Sequence, residues 1–552
     1  MQHLLTPEMP PRPTPSEQGA QHPAAAARRA FVLVAVSLLP IMVLASFDFG
    51  VTWDEKARHK YGELIWEYFG GRRSRSSFVE DGGLSYAGLF DVICAAAEQW
   101  LPLNRYVLRH AINAIFGWVG VVYCGRLAAR LFGTWSGVLA MILLAASPRY
   151  FADSMNNPKD LPFAAMTVAA LYYFSTVSPT WPYLSRATAI KIVVAVALAL
   201  NIRAGALLYL AYLGMLVTAF AIAERNVNWR RLADTAARLA TVAAAVLLLG
   251  TVFWPWAQGA PLTRPFETLL RAGSSRWNGL VLFNGQDYAA PSLPWYYAPW
   301  WLLISTPPVV IAGAILSIAV SRSRGWALSR DALWAVAVLP VLLVIINGST
   351  LYDGIRHLLF IYPILVVLAA SGWAAWLSER DRPWVRRSVA ALLAAGLANV
   401  LAFDVRFHPN QTVYFNELVG GPRGAFAKFD MDYWGNCVLE GVAWSARTAR
   451  LSGRPIAISG NPWHLVQLNA ERFPQLVFTP PNRGKHHLTV LLNRGSVKGV
   501  TELANQKDAL YRVQTPDGAV LCVVLPGPAF AELQPHLSLP PAQSSPHPPS
   551  SR

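Results

Sequence analysis

The chain carries the apolar run FVLVAVSLLPIMVLASFD at 31–48, followed at 49–69 by the polar and aromatic segment FGVTWDEKARHKYGELIWEYF. The first run has nearly the length that crosses the hydrocarbon of a bilayer, about 20 residues. It is too long, and too poorly followed by small residues, for a cleaved signal peptide. In the second segment apolar residues recur at helical spacing from 54 to 69. The pair therefore predicts a membrane-spanning helix followed by an amphipathic helix in the membrane interface.

The composition extends this interpretation to the whole chain. Of 552 residues, 54% are hydrophobic and only 14% are charged, against about 25% in soluble domains. These values exclude a disordered protein and disfavour a single soluble domain. The net charge of +16 would suit a nucleic-acid partner, but the basic residues lie in short clusters between apolar segments. The sequence therefore predicts a membrane protein with no nucleic-acid partner.

Ten further apolar segments bring the predicted membrane crossings to about eleven. The fifth and sixth of the eleven are separated only by a short turn and could be counted as one. The predicted fold class is an all-α polytopic membrane protein with about eleven transmembrane helices. The ten segments are 107–124, 135–151, 161–177, 188–202, 204–222, 236–254, 299–320, 332–347, 356–376 and 386–403.

The distribution of basic residues predicts the orientation. With the N-terminus in the cytoplasm, every predicted inner loop contains Arg or Lys, which is the bias that orients membrane proteins. The C-terminal segment then lies outside. The basic residues of the inner loops are Arg126, Arg130, Arg186, Lys191, Arg225, Arg230, Arg231, Arg322, Arg324, Arg330, Arg380, Arg382, Arg386 and Arg387.

The chain divides into four parts by composition. The two ends are rich in Pro, Ser, Gln and Ala, and we expect them to be disordered. The absence of an evident internal repeat disfavours a transporter built from inverted halves. The parts are a cytoplasmic N-terminus at 1–30, a membrane domain at 31–403 with long outer loops at 49–106 and 257–297, a small α/β domain at 404–530, and a tail at 531–552.

The outer segment after 404 has the patterns of strands and a helix. Strands are predicted at 456–459, 488–492 and 519–525, and a helix at 440–450. Cys437 and Cys522 both lie in this segment. Whether they form a disulfide is left open by the sequence.

Ionisable residues at the predicted outer membrane face are few, and they come from four separate connections. Buried carboxylates are costly at a membrane and usually have a function. A carboxylate beside cations suits a general base that deprotonates a hydroxyl, with Arg or Lys holding a departing phosphate. An ion-coupled transporter also uses such carboxylates, so both classes remain open. The residues are Asp48, Asp54, Glu55, Arg149, Asp153, Lys159, Asp160, Arg203, Asp353, Arg356 and His357.

Several motifs resemble those of a known family. They are the Asp54-Glu55 pair after the first crossing, NPKD at 157–160, YDGIRHLLF at 352–360, HPNQTVYFN at 408–416 and DYWG at 432–435. Over residues 31–440 the chain resembles GT-C glycosyltransferases. More specifically, it is similar to the protein O-mannosyltransferase family (glycosyltransferase family 39) and its bacterial relatives, including the lipid A aminoarabinose transferase.

The resemblance implies a GT-C fold and an enzyme of the bacterial inner membrane with a periplasmic active site. Such an enzyme transfers one sugar, with inversion, from a polyprenyl-phosphate donor to a glycolipid, polysaccharide or protein acceptor. The outer tail does not resemble the β-trefoil insertion of eukaryotic protein mannosyltransferases, which favours a glycolipid or polysaccharide acceptor. The alternatives are a transporter or flippase of lipid-linked sugars and a non-enzymatic membrane scaffold.

The resemblance also implies residue roles. Asp54 would be the general base, and Glu55 would orient it or the acceptor. Asp160 would bind substrate or support the site, and Arg356 and His357 would face the donor phosphate. Weaker candidates for substrate binding are Lys159, Asp353, Arg149 and Arg203.

Each role has a structural alternative. Asp54 would otherwise cap the helix that follows it, and Asp48 is the rival base. Arg356 and His357 would otherwise mark the membrane interface, and Lys159 and Asp160 would form a local ion pair. No metal-ligand spacing occurs, and the sequence leaves a divalent cation between Asp54 and the phosphate undecided.

Overall fold

The computed structural model describes residues 15–80, 86–224, 228–274, 277–319, 324–378, 381–482 and 484–536. Of the termini expected to be disordered, residues 1–14 and 537–552 lie outside the described residues, whereas 15–30 belong to the first helix. The helices are α1 (Pro15–Ala45), α2 (Glu55–Phe69), α3 (Ser77–Glu80), α4 (Leu89–Glu98), α5 (Arg105–Phe132), α6 (Thr134–Ala145), α7 (Pro148–Asn156), α8 (Asp160–Phe174), α9 (Arg186–Leu200), α10 (Leu207–Ala223), α11 (Trp229–Leu249), α12 (Arg264–Ser274), α13 (Tyr297–Ser305), α14 (Pro308–Ala319), α15 (Arg324–Ile346), α16 (Tyr362–Leu377), α17 (Pro383–Phe407), α18 (Gly421–Ala425), α19 (Val438–Ser452), α20 (Trp463–Ala470) and α21 (Val497–Ala504).

The apolar helices make the chain a multi-pass membrane protein. Among the described residues, six helices are long and apolar enough to span a bilayer, or up to eight if each of two bent pairs counts as one span. The predicted count of eleven is not confirmed. The predicted segments 161–177, 188–202 and 332–347 coincide with α8, α9 and α15, which are not among the eight. The six are Ala25–Asp48, Arg105–Phe132, Ala204–Ala223, Trp229–Leu249, Arg356–Leu377 and Pro383–Phe407.

Two predicted crossings are broken near proline. Helices α6 and α7 meet at 68° just before Pro148, and α13 and α14 meet at 110° before Pro308. Proline has no N–H to donate and disfavours a helical conformation in the residue before it. The bends therefore follow from the local sequence, although the apolar pattern continues through them.

Small residues let the membrane helices approach closely. A Cβ atom added at Gly372 of α16 would lie 2.0 Å from the Gly313 carbonyl oxygen of α14. A Cβ added at Gly137 of α6 would lie 2.5 Å from the Gly125 carbonyl oxygen of α5. The hydrophobic effect does not drive helices together within lipid, so close packing of this kind stabilises their association.

A five-stranded sheet forms in the C-terminal part of the chain, in the order β4-β3-β5-β7-β6. Strand β3 is parallel to β4 and β5, and β7 is antiparallel to its two neighbours. The predicted strands and helix of this segment are confirmed. The strands, including a hairpin β1–β2 in the second long outer loop, are β1 (Leu280–Phe283), β2 (Gln286–Ala289), β3 (Ile456–Asn461), β4 (Leu476–Phe478), β5 (Leu488–Leu492), β6 (Tyr511–Gln514) and β7 (Val520–Pro526).

The sheet region is bound to the membrane part through buried asparagines, so a separate α/β domain is not confirmed. The Asn436 side-chain oxygen accepts the Gly50 N–H at 2.9 Å and the Asn156 side-chain N–H at 3.1 Å. The Asn469 side-chain oxygen accepts the Val51 N–H at 3.0 Å. Because buried polar groups need partners, these bonds hold the chain after α1 against the C-terminal region.

Cys437 and Cys522 form a disulfide between the start of α19 and β7, with Cα atoms 6.1 Å apart. Cys94 and Cys124 are free and buried.

We predict that a thiol reagent applied to the denatured, unreduced protein modifies two cysteines, and four after reduction. Mass spectrometry of the intact protein counts the adducts. Four adducts without reduction would contradict the disulfide.

Candidate active site

The Arg356 guanidinium binds three carboxylates from three separate connections between helices. Its Nη2 donates to Asp54 Oδ2 at 2.7 Å, its Nε to Asp160 Oδ2 at 3.2 Å and its Nη1 to Asp353 Oδ2 at 3.0 Å. All of these side chains are buried except that of Asp54, which is 31% exposed. The sequence therefore identified residues that the fold does bring together, although they are up to 302 positions apart.

A tight turn places Asp353 beside Arg356. Asp353 and Gly354 both have left-handed backbone angles, with φ of 58° and 67°, a conformation that Asp adopts more readily than most residues. The Gly354 N–H donates to the Tyr297 hydroxyl at 3.2 Å. The chain then enters a 3₁₀ turn that begins at Arg356 and leads into α16, which directs both charged side chains to the same place.

The start of α8 supplies a second carboxylate and the cation Lys159, and the turn between α9 and α10 adds Arg203. The Asn157 side-chain oxygen accepts the Asp160 N–H at 3.0 Å, which satisfies one free donor of the helix start. Asp160 pairs with Arg203 as well as with Arg356. The Lys159 ammonium lies 4.6 Å from the centre of the Tyr86 ring. Lys159 and Arg203 are only half-buried, so both can reach a ligand.

Asp54 and Glu55 are neighbours at the start of α2, but their side chains have different partners. Glu55 Oε2 accepts the Thr52 N–H at 2.8 Å, and its carboxylate also contacts His110 Nε2 at 3.0 Å. Asp54 makes no side-chain capping bond, so capping does not explain its position. Glu55 is fully buried and faces away from Arg356. These contacts hold the turn that presents Asp54, and the role predicted for Glu55, to orient Asp54 or the acceptor, stays a prediction.

The C-terminal region closes the site. Arg494, which follows β5, pairs with Asp353 and donates to the Tyr433 carbonyl oxygen at 3.2 Å. The Trp434 ring lies 4.5 Å from the Arg356 guanidinium, and its Nε1 donates to Asp153 at 2.9 Å. The sequence assigned no role to Arg494. Its position directly after the predicted strand at 488–492 was the available signal, because ligands gather at the ends of strands in α/β sheets.

The other candidates lie at the margin of this cluster or outside it. The His357 ring contacts Tyr352, with centroids 4.7 Å apart. Arg149 is buried against Trp301 and donates to the Tyr414 carbonyl oxygen at 3.0 Å. Asp48 is 62% exposed and pairs with His408, not with the Arg356 cluster.

A second buried ion cluster lies beneath α2, and the sequence did not single it out. Asp91 of α4 pairs with Arg58 of α2 and, at 3.0 Å, with Arg109 of α5. All three side chains are buried, and they join helices that carry the first outer loop. We assign this cluster to structure, because its side chains pair with one another across three neighbouring helices.

The charges around Arg356 favour an anionic ligand. Three carboxylates face four cations: Arg356, Arg203, Arg494 and Lys159. Burial raises the pKa of Asp54, but Arg356 and Lys159 outweigh burial and hold that pKa below its usual value. Burial and the neighbouring Arg203 lower the pKa of Lys159 to about 7. Asp54 is therefore ionised at neutral pH and able to accept a proton. Lys159 titrates near neutral pH.

Among the described residues, no group of three or more His, Cys, Asp or Glu could hold a metal ion. The three carboxylates of the site are held by arginine. The divalent cation that the sequence left undecided therefore gains no identified ligand set from the described residues.

No protein-family model and no curated protein matches the chain. The solved structures that are similar to it include the following three. ArnT from Cupriavidus metallidurans, bound to undecaprenyl phosphate, is 14% identical with a TM-score of 0.49, over 89% of this chain and 97% of that one. The archaeal oligosaccharyltransferase AglB from Archaeoglobus fulgidus, in complex with an inhibitory peptide and a dolichol-phosphate, is 11% identical with a TM-score of 0.45, over 83% and 69%. The arabinofuranosyltransferase AftD from Mycobacteria is 12% identical with a TM-score of 0.41, over 90% and 41%.

ArnT is a lipid A aminoarabinose transferase, and all three are glycosyltransferases of the GT-C fold. The resemblance drawn from the motifs names the same class. At these identities and TM-scores the likeness assigns no activity, so the function is proposed from the residues of the site.

We predict that Arg356→Gln destabilises the protein, because three carboxylates would then surround a neutral amide. Breaking a buried ion pair by removing one partner costs about 3–5 kcal/mol. Thermal unfolding in detergent measures the loss. Adding Asp353→Asn to Arg356→Gln should recover part of it, since one uncompensated charge is removed.

Arg450→Gln is the matched control, because Arg450 is exposed in the last turn of α19. It should unfold at the wild-type temperature. Equal unfolding temperatures for Arg356→Gln and Arg450→Gln would contradict the role of Arg356 as the centre of the cluster.

Proposed function

We propose that the chain is a membrane glycosyltransferase that transfers one sugar from a polyprenyl-phosphate donor to a hydroxyl of a glycolipid or polysaccharide. The observation that carries the proposal is the half-exposed Asp54 carboxylate, held by Arg356 beside the accessible cations Lys159 and Arg203. A base and an anion-binding group thus meet where the membrane helices end. This is the combination that sugar transfer from a lipid phosphate requires.

The reaction is a single displacement at the anomeric carbon. The acceptor oxygen forms a bond to that carbon while the bond from the carbon to the phosphate oxygen breaks. The acceptor proton passes to Asp54, and the electron pair leaves with polyprenyl phosphate. Attack from the side opposite the leaving group inverts the anomeric configuration.

The contacts of Arg356 favour a different role for it from the phosphate binding that the resemblance implied. Arg356 donates one bond to each of three carboxylates and is almost fully buried. It therefore positions Asp54. Lys159 and Arg203 are better placed to bind the phosphate and stabilise its developing charge, with His357 at the edge of the same site.

The disulfide supports an outer location for the C-terminal region. Cys437–Cys522 would persist in an oxidising compartment such as the bacterial periplasm. Together with the basic inner loops, this favours a cytoplasmic N-terminus and a periplasmic site in the inner membrane. Residues 31–403 would form the catalytic membrane domain, and 404–530 would complete its outer face.

We predict that Asp54→Asn lowers transfer by about 10²–10⁴-fold, the contribution of a positioned base, while donor binding remains. The assay follows label from radiolabelled polyprenyl-phosphate sugars into a membrane glycolipid extract, with protein purified in detergent. Asp48→Asn is the control, because Asp48 is an exposed aspartate at the end of the first span and lies outside the cluster.

Equal activity of Asp54→Asn and wild type would contradict Asp54 as the base. Loss of transfer in Asp48→Asn with retention in Asp54→Asn would move the role to Asp48. No transfer by the wild type with a broad panel of donors would contradict the glycosyltransferase and favour a transporter of lipid-linked sugars.

We predict that donor affinity weakens as the pH rises through about 7, because Lys159 then loses its charge. Lys159→Arg should remove this dependence, since an arginine stays protonated. Binding of a polyprenyl-phosphate sugar, whose phosphodiester keeps one negative charge over this range, measured between pH 6 and 8 tests this. Lys60→Arg, at an exposed lysine paired with Glu63, should behave like wild type, and an unchanged pH dependence in Lys159→Arg would contradict the assignment.

A further inference from the structure

An aromatic patch borders Asp54 on the side of the C-terminal sheet. It consists of Trp53, Trp463 and His464. The Trp53 and His464 ring centroids are 4.9 Å apart, and those of His464 and Trp463 are 5.8 Å apart. Trp463 and His464 open α20, directly after β3. The proposed function assigns no role to the patch.

The patch is continuous with the charge cluster. Trp53 precedes Asp54 in the chain, and the Arg494 guanidinium lies 5.8 Å from the centre of the Trp53 ring. Arg494 also pairs with Asp353. Because β3 and β5 are parallel, their carboxyl ends lie at one edge of the sheet, so Trp463 and Arg494 approach the site from the same edge.

Trp463 has a large exposed surface for a tryptophan that packs against the sheet. The residue is 46% exposed, and the Lys56 ammonium lies 4.9 Å from the centre of its ring. Within the described part of the chain, no carboxylate pairs with Lys56. Burial and the neighbouring Lys56 ammonium lower the pKa of His464. The His464 ring is therefore neutral at pH 7, and it can donate one hydrogen bond and accept another.

These features match the chemistry of a saccharide. The C–H groups of a sugar ring carry a partial positive charge and pack on the negative face of an aromatic ring. Hydroxyls at the edge of the sugar need donors and acceptors such as a neutral imidazole. An unpaired lysine at the rim adds a preference for a negative group.

We propose that the aromatic patch is the acceptor subsite and binds a saccharide that carries an anionic group. One sugar ring stacks on Trp463 while its anionic group draws Lys56 off the ring, and the chain of sugars continues over Trp53 to place a hydroxyl at Asp54. This deepens the proposed function and rests on it only for the transfer step.

We predict that three synthetic disaccharides distinguish the patch from a packing surface: one phosphorylated, one containing a uronate, and one neutral. Titration calorimetry with the protein in detergent should show that at least one anionic disaccharide binds more tightly than the neutral one. Trp463→Ala should weaken that binding by about tenfold. Trp463→Phe should retain most of it, and Lys56→Gln should lower the anionic affinity to the neutral level.

Trp100→Ala is the matched control, because Trp100 is 81% exposed and lies outside the patch. Equal affinities for Trp463→Ala and Trp100→Ala, or no binding of any disaccharide by the wild type, would overturn the proposal. So would neutral and anionic disaccharides that bind equally. The two anionic disaccharides show whether phosphate or carboxylate is recognised.

Transfer kinetics separate this proposal from the proposed function. Trp463→Ala should raise the KM for the acceptor and leave polyprenyl phosphate binding unchanged. If Trp463-dependent saccharide binding occurs without any transfer, the subsite stands and the glycosyltransferase fails. If transfer occurs with an acceptor KM that does not depend on Trp463, the glycosyltransferase stands and the subsite fails.

Discussion

The candidate site depends on one buried guanidinium and the three carboxylates that it binds. Arg356 joins Asp54 of the first outer loop, Asp160 of the second and Asp353 of its own turn. A buried arginine without partners would be strongly unfavourable, and so would three adjacent buried carboxylates. The planar fork of arginine presents its donors in a fixed geometry, whereas the lysine ammonium is a point charge on a flexible stem. Arg356 and its carboxylates can therefore be buried only where the three connections meet.

This constraint explains which groups are left for chemistry. Arg356 donates to three carboxylates, so the proposed mechanism gives the binding of an anion to the partly buried Lys159 and Arg203. The same bonds hold Asp54 ionised with one edge exposed. The C-terminal region contributes through Arg494 and Trp434, which cover the cluster. It is therefore part of the site and not an accessory to it.

Much of this site was predictable because charge is scarce in the sequence. Few ionisable residues lie at the predicted outer helix ends, and the fold brings Asp54, Asp160, Asp353 and Arg356 together. The direction of each side chain was not predictable. Glu55 follows Asp54, but successive helical residues point about 100° apart, and Glu55 turns to His110.

Long-range contacts account for most of what the sequence did not predict. Arg494 reaches Asp353 across 141 positions, and Asn436 reaches Gly50 across 386. No local pattern reports such pairs. The apolar periodicity located the helices but did not show the bends at Pro148 and Pro308, so the number of continuous spans differs from the number of apolar segments.

The most direct test of the central claim is a structure of the Asp54→Asn variant with a bound polyprenyl-phosphate sugar. The account predicts a donor phosphate within hydrogen-bonding distance of Lys159 and Arg203, with the anomeric carbon facing residue 54 and Arg356 still bound to Asp160 and Asp353. A phosphate bound by Arg356 in place of those carboxylates, or a donor far from residue 54, would contradict it.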